Sequence, residues 1–192
     1  MNVIFLDFDG VIDTNYYKSY EDMEKKIVIL ANICKKYNCK VVIEASAKDA
    51  IDEDTLEIDD NCKWVRFIFE MFKKYNIECI GRTPNVRRYS SSCSYLSMWK
   101  EDEIRLYLFR HPEIDHYCII DDDDLQIYNR SDLNKVREHL VVTKDFLDKN
   151  PEEEGLLERH ESEIEEILKK DNEIKKLALK RKGNNERFIW LY

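Results

Sequence analysis

Apolar and polar positions along this 192-residue chain switch repeatedly between an unbroken run and a helical period. Val3-Ile4-Phe5-Leu6 is a short continuous apolar run, which reads as a buried strand. Met23, Ile27, Leu30, Cys34 and Tyr37 then recur three and four residues apart, so a helix is predicted over Tyr20–Tyr37. Residues 40–43 read as a second strand. Val65, Ile68, Phe69, Phe72 and Tyr75 mark a second helix, and residues 77–80 a third strand. A helix over residues 100–109 leads to a strand at 117–120, and 140–143 form a shorter fifth strand. Strands that alternate with helices imply a parallel sheet covered on both faces, a three-layer α/β/α sandwich.

The end of the chain has a different texture. Leu157, Ile164, Ile167, Leu168, Ile174 and Leu177 predict a helix over residues 156–182, with acidic residues crowding its first half and lysines its last, as a helix dipole favours. The division expected is a core over residues 1–150 and a helical extension over 151–192, packed on the core or extending from it. The alternative is a helix that binds a partner or a second copy. Phe188-Ile189-Trp190-Leu191-Tyr192 is too apolar to stay in water and is expected to dock on the core.

Composition narrows the class. Hydrophobic residues at 43% and aromatics at 11% fit a globular chain despite 37% charged residues. The formal net charge of -9 argues against a general grip on nucleic acid, though not against a local basic patch. The six cysteines show no Cys-x-x-Cys pair, so a zinc site is not expected. Asp7 and Asp9 interrupt the apolar N-terminus too early for a secretory signal, and no apolar stretch reaches the length of a membrane span. A reducing cytoplasm, with no membrane partner, is the compartment expected.

The chemistry is concentrated at two strand ends. The first strand runs into Asp7-Phe8-Asp9-Gly10, and the fourth into Asp121-Asp122-Asp123-Asp124. Residues two apart on extended chain share a face, so Asp7 and Asp9 project together while Phe8 points away. Carboxylates held that close repel unless a cation or proton lies between them. Gly10 lets the chain turn sharply beyond them. Ligands of open parallel sheets sit outside the carboxyl ends of the strands, so both acidic ends aim into one crevice. A divalent metal and a phosphoryl group suit it, with Gly10 at the substrate. A solvated acidic loop remains the reading for Asp123 and Asp124.

Asp7-Phe8-Asp9-Gly10-Val11 resembles the first motif of the haloacid dehalogenase (HAD)-like phosphohydrolase superfamily, and Ile119-Ile120-Asp121-Asp122 its fourth. More narrowly, Lys100-Glu101-Asp102-Glu103-Ile104 is similar to the Arg-Gly-x-Glu-Ile of the HAD domain in Swiss Army knife RNA repair proteins. His139-Leu140-Val141-Val142-Thr143 and Gly155-Leu156 extend that likeness to about residue 170. The resemblance implies a magnesium-dependent phosphatase in which Asp7 attacks phosphorus and becomes an aspartyl-phosphate. Asp9 then protonates the leaving oxygen and activates water. Mg2+ is implied on Asp7, the Asp9 backbone carbonyl, and Asp122 with or without Asp121.

Two further motifs match less closely. Many relatives carry several serines and then Trp-Arg where this chain has Glu44-Ala45-Ser46-Ala47-Lys48. Ser46 is the choice for the hydroxyl that bonds a phosphoryl oxygen, the alternative being a plain turn serine. Lys100 is the choice for the cation that neutralises the phosphoryl group, the alternative being an ordinary lysine in the first turn of a helix. Between Gly81 and Trp99 stand Arg82, Arg87 and Arg88 with no acidic residue, interleaved with Tyr89 and Tyr95. Arginines grip phosphate and aromatic faces stack bases, so this stretch is either a nucleic-acid contact or a solvated polar loop.

The intervals between motifs are too short for a folded cap domain, so the site is expected to be open. The substrate expected is a terminal phosphate on an RNA or DNA strand or a nucleotide. The alternatives are a phosphoprotein, or a binding module on the same fold with weak turnover.

Overall fold

The computed structural model describes residues 1–14, 19–85, 97–123, 134–143 and 154–175. Five strands, β1 (Asn2–Leu6), β2 (Cys39–Ile43), β3 (Cys79–Arg82), β4 (His116–Asp121) and β5 (Leu140–Val142), form one sheet in the order β3-β2-β1-β4-β5. Every pairing is parallel. The helices are α1 (Tyr20–Tyr37), α2 (Lys63–Lys74), α3 (Ser97–Arg110), α4 (Asn134–Arg137) and α5 (Glu161–Leu168), with a 3-10 turn at Ser46–Ala50. The chain has the HAD-like α/β architecture, and α1 takes up the interval between β1 and β2.

Side-chain alternation on β1 divides the core. Ile4, Leu6 and Phe8 face a layer made by α1 (Met23, Ile27, Leu30), α2 (Val65, Ile68, Phe72) and α5 (Ile164, Ile167, Leu168). Val3 and Phe5, with Val42 on β2 and Ile119 on β4, face α3 through Ile104, Tyr107 and Leu108. The two clusters are the two interfaces of a three-layer sandwich.

Local chemistry explains the boundaries. Ser19 caps α1 by accepting the Asp22 amide, and Asn38 ends it in the left-handed region at φ 51° while donating to the Cys34 carbonyl. α2 closes less simply. Asn76 turns at φ 58° and the Ile77 amide reaches back to the Phe72 carbonyl, so Ile77 and Glu78 belong to the helix exit. The third strand therefore begins at Cys79, two residues later than its apolar run predicts, and includes Arg82. The long terminal helix expected over 156–182 is also corrected: α5 spans eight residues and stops at Leu168, with turns at Lys169 and Lys170. The Asn172 amide donates to the Asp115 carbonyl and its side chain to the Ile114 carbonyl, which ties this segment to the start of β4. The segment 188–192 lies outside the described residues.

Beyond residue 150 the chain is stitched to the loop after β1. The Leu156 amide donates to the Val11 carbonyl at 2.9 Å, and the buried Lys26 ammonium donates to the Glu154 carbonyl at 2.6 Å. Gly155 sits at φ +70°, where a Cβ would meet Thr14 Cγ2 and stand 2.7 Å from the Val11 carbonyl oxygen. Gly155→Ala is expected to destabilise the fold by about 2 kcal/mol or more, combining left-handed strain with a backbone clash. Urea unfolding checks this; a midpoint equal to the wild type's contradicts the seam.

Candidate active site

Strand register sets the site. Leu6 pairs with Ile43 on one side and Ile120 on the other, and Ile43 pairs with Arg82. The next residues continue the ladder: Thr83 N–H donates to Ile43, Glu44 N–H to Leu6, and Asp7 N–H to Ile120. Thr83, Glu44, Asp7 and Asp121 thus form one row along the carboxyl edge of the sheet. Adjacent residues of a parallel ladder point to the same face. Here it is the face covered by α3, since Asp7 and Glu44 lie two residues past Phe5 and Val42.

Lys100, in the first turn of α3, reaches into this row. Its ammonium lies 2.5 Å from Asp7 Oδ2 and 2.8 and 3.1 Å from the two Asp121 oxygens. Asp7 Oδ1 accepts the Phe8 amide at 2.7 Å, and Asp121 Oδ1 the Asp123 amide at 2.9 Å. Burial, and then the facing Asp121 carboxylate, push Asp7 up to about 7, against the pull of Lys100 and the Phe8 amide. Burial alone would lower Lys100; Asp7 and Asp121 outweigh it and hold the ammonium above the ordinary lysine range. Asp121 is raised by burial, against Lys100 and the Asp123 amide.

Asp7, Asp121 and Asp122 each bring a carboxylate oxygen within 4.8 Å of the others. Three hard oxygen donors in that space suit magnesium, which prefers carboxylates and keeps several waters. Asp121, which the expected donor set left optional, stands in this group of three. The Asp9 carboxylate is outside this group. It is partly exposed, and Oδ2 accepts the Ser46 hydroxyl at 3.0 Å. Gly10 turns at φ +70°, and a Cβ there would collide with the Asp122 side chain. The glycine therefore supplies both the turn and the room for Asp122. Thr143, which sequence reading took only as a strand end, donates its hydroxyl to the Gly10 carbonyl and its amide to the Asp121 carbonyl, each at 2.9 Å.

Arg82 requires correction as a substrate-binding residue. It lies in β3 rather than in a loop, and its buried guanidinium donates to the Ile51 carbonyl at 2.7 Å and the Thr83 carbonyl at 3.1 Å. Its other nitrogen stands 3.6 Å from Glu53. The cation tethers the segment after the Ser46–Ala50 turn and is not turned to the site. Arg87 and Arg88 lie outside the described residues.

Sequence reading also missed a buried polar group. Lys48 donates to Glu44 at 3.1 Å, to Thr83 at 3.0 Å and to Glu103 on α3, while the Thr83 hydroxyl donates to Glu44. The available signal was two odd residues in one motif, Glu44 and Lys48, that answer each other.

An all-parallel sheet whose carboxyl edge gathers three aspartates and a lysine is the plan of the HAD-like phosphohydrolases. The family described as "HAD domain in Swiss Army Knife RNA repair proteins" matches residues 3–150, more than half of the chain, and the chain belongs to that family. No curated protein and no solved structure shows a significant match. Among the described residues no helix is long and apolar enough to cross a membrane.

Burial fixes a pH dependence for the metal-free protein. Glu44 and Glu101 are each pushed from 4.5 up to about 8, chiefly by burial. The Glu101 oxygens have no hydrogen-bond partner among the described residues. The folded chain holds these protons where the unfolded chain has lost them, so their stabilisation is complete below about 4.5 and is lost as pH rises through about 8. Burial lowers the buried histidines His139 and His160, the latter to about 4, so they act in the opposite direction, but only below about 6.5. The melting temperature in EDTA is therefore expected to fall between pH 6.5 and 8. A rise over that interval contradicts these protonation states.

Proposed function

We propose that the protein is a magnesium-dependent phosphatase working through an aspartyl-phosphate on Asp7, with a terminal phosphate of nucleic acid or a nucleotide as substrate. The observation that carries this reading is the gathering of the Asp7, Asp121 and Asp122 carboxylates, with Lys100 bound to the first two and Asp9 and Ser46 at the exposed rim. The family's description as part of RNA repair proteins and the partial exposure of Asp9 support the choice of substrate.

Asp7, Asp121, Asp122 and the Asp9 backbone carbonyl would hold Mg2+, which when bound would supply the positive charge that lets an anionic carboxylate approach an anionic phosphate. Asp7 attacks phosphorus in line, and the bond from phosphorus to the ester oxygen breaks. Lys100, already charged and aimed at Asp7, offsets the charge on the equatorial oxygens. The Ser46 hydroxyl turns from Asp9 to a phosphoryl oxygen, and the Gly10 turn keeps side chains clear of the substrate. Asp9, partly exposed at the rim, protonates the leaving alkoxide. It then takes a proton from the water that attacks the aspartyl-phosphate, releasing phosphate and restoring Asp7.

Mg2+-dependent hydrolysis of an aryl phosphate, lost in EDTA, is the expected result. Asp7→Asn should lower kcat by at least about 10³-fold without changing the circular dichroism spectrum, because an amide is no nucleophile here. Turnover near the wild-type rate in that variant would exclude Asp7 from the role. We propose Arg87 and Arg88 as phosphate-binding side chains for a polymeric substrate. The double variant Arg87→Ala, Arg88→Ala should raise KM for a phosphorylated oligonucleotide about tenfold while leaving the aryl phosphate within about twofold. Equal effects on both would remove the loop from substrate selection. Turnover of phosphopeptides in preference to oligonucleotides would move the assignment to a phosphoprotein. A protein that binds phosphorylated ends without cleaving them would be a binding module.

A further inference from the structure

We propose that Lys48 is a positioning residue: by holding Glu44 and Glu103 together, it fixes α3 against the sheet edge and reserves the Lys100 ammonium for Asp7 and Asp121. This rests on the catalytic reading of Lys100 above, but its structural content can be tested without turnover.

The row Thr83–Glu44–Asp7–Asp121 places Glu44 directly beside Asp7, on the face that α3 covers. Glu44 is 1% exposed and Glu103 is fully buried. Four buried carboxyl groups, Glu44, Glu103, Asp7 and Asp121, therefore share two buried or nearly buried ammonium groups. Lys48 answers Glu44 and Glu103, and Lys100 answers Asp7 and Asp121. Remove Lys48, and Glu44 becomes a buried carboxyl without its cation, next to Asp7. A buried carboxyl left without that donor is costly whether or not it keeps its proton, and Lys100, which already binds the neighbouring Asp7, is the ammonium that can answer it.

Lys48 also links three elements: it sits in the 3-10 turn after β2, bonds Thr83 just beyond β3, and bonds Glu103 on α3. Glu103 is three residues after Lys100, one helical turn away, so the Lys48–Glu103 pair sets the height at which Lys100 enters the row. A displacement of about 1 Å at such a group is enough to cost about 10²-fold in rate.

The test follows the Lys100 ammonium by nitrogen-15 NMR of the lysine side chains in the full chain, with kcat and KM on an aryl phosphate with Mg2+ measured alongside. Lys48→Met should shift or broaden the Lys100 signal and lower kcat about 100-fold with KM within about threefold. Lys48→Arg, which keeps the charge and the reach, should restore both. The double variant Lys48→Met, Glu44→Met should also restore most of the Lys100 signal and of kcat, because the competing carboxyl group is gone. A residue that only supports the fold would give no such rescue. Should Lys48→Met fail to fold, Glu103→Gln cuts the tie to α3 and should move the Lys100 signal in the same direction. A Lys100 signal unchanged in folded Lys48→Met or in Glu103→Gln, or a double variant no better than the single, overturns the proposal. An inactive wild type overturns the phosphatase reading, while the NMR comparison still decides the role of Lys48.

Discussion

The contact on which the site depends is the ammonium of Lys100 between the carboxylates of Asp7 and Asp121. Neighbouring strands in register force those two aspartates onto one face at one height. Left alone they would repel in a low-dielectric setting, and one would stay protonated. Lys100 relieves part of that repulsion but not all of it, because burial still dominates at Asp7. What remains is a cluster of three carboxyl groups with Asp122 at its rim, a donor set that suits a small divalent ion.

The same constraint explains why backbone devices cluster around the first motif. The turn that follows Asp9 is held by three amides, Val11, Ile12 and Asp13, that donate to the Phe8 carbonyl, and by the Gly10 amide, which donates to the Asp13 carbonyl. Thr143 fastens the Gly10 carbonyl to the end of β5. Phe8 is buried on the opposite face and meets the edge of Trp64. The carboxylates are thus presented from a loop fixed on both sides. That fixity matters in chemistry that works mainly by placing charges.

Most of the architecture was legible because it rests on periodicity. The bounds of α1 follow from its apolar stripe and its capping residues, and the first and fourth strands from unbroken apolar runs ending in aspartates. The acidic ends could be brought together by topology alone. What the sequence could not show were pairings that need three dimensions. Arg82 looked like a loop cation because helix closure at Asn76 and Ile77 delays β3 by two residues. Glu44 and Lys48 looked like departures from a motif because the second carboxyl group that Lys48 binds, on Glu103, lies 55 residues further along the chain. The terminal helix was overextended because helical spacing continues through Ile174, while the turns at Lys169 and Lys170 and the Asn172 tether carry the chain away from that axis.

The seam at residues 154–156 bears on how such a chain is delimited. The family signature stops at 150, yet Leu156, Ile164 and Ile167 fill the same apolar layer as Ile4, Leu6 and Phe8. Recognisable ancestry and cooperative folding therefore end at different places. Trimming the protein to its signature would strip apolar cover from the inner side of the loop after β1, leaving its acidic motif present and the support beneath it missing.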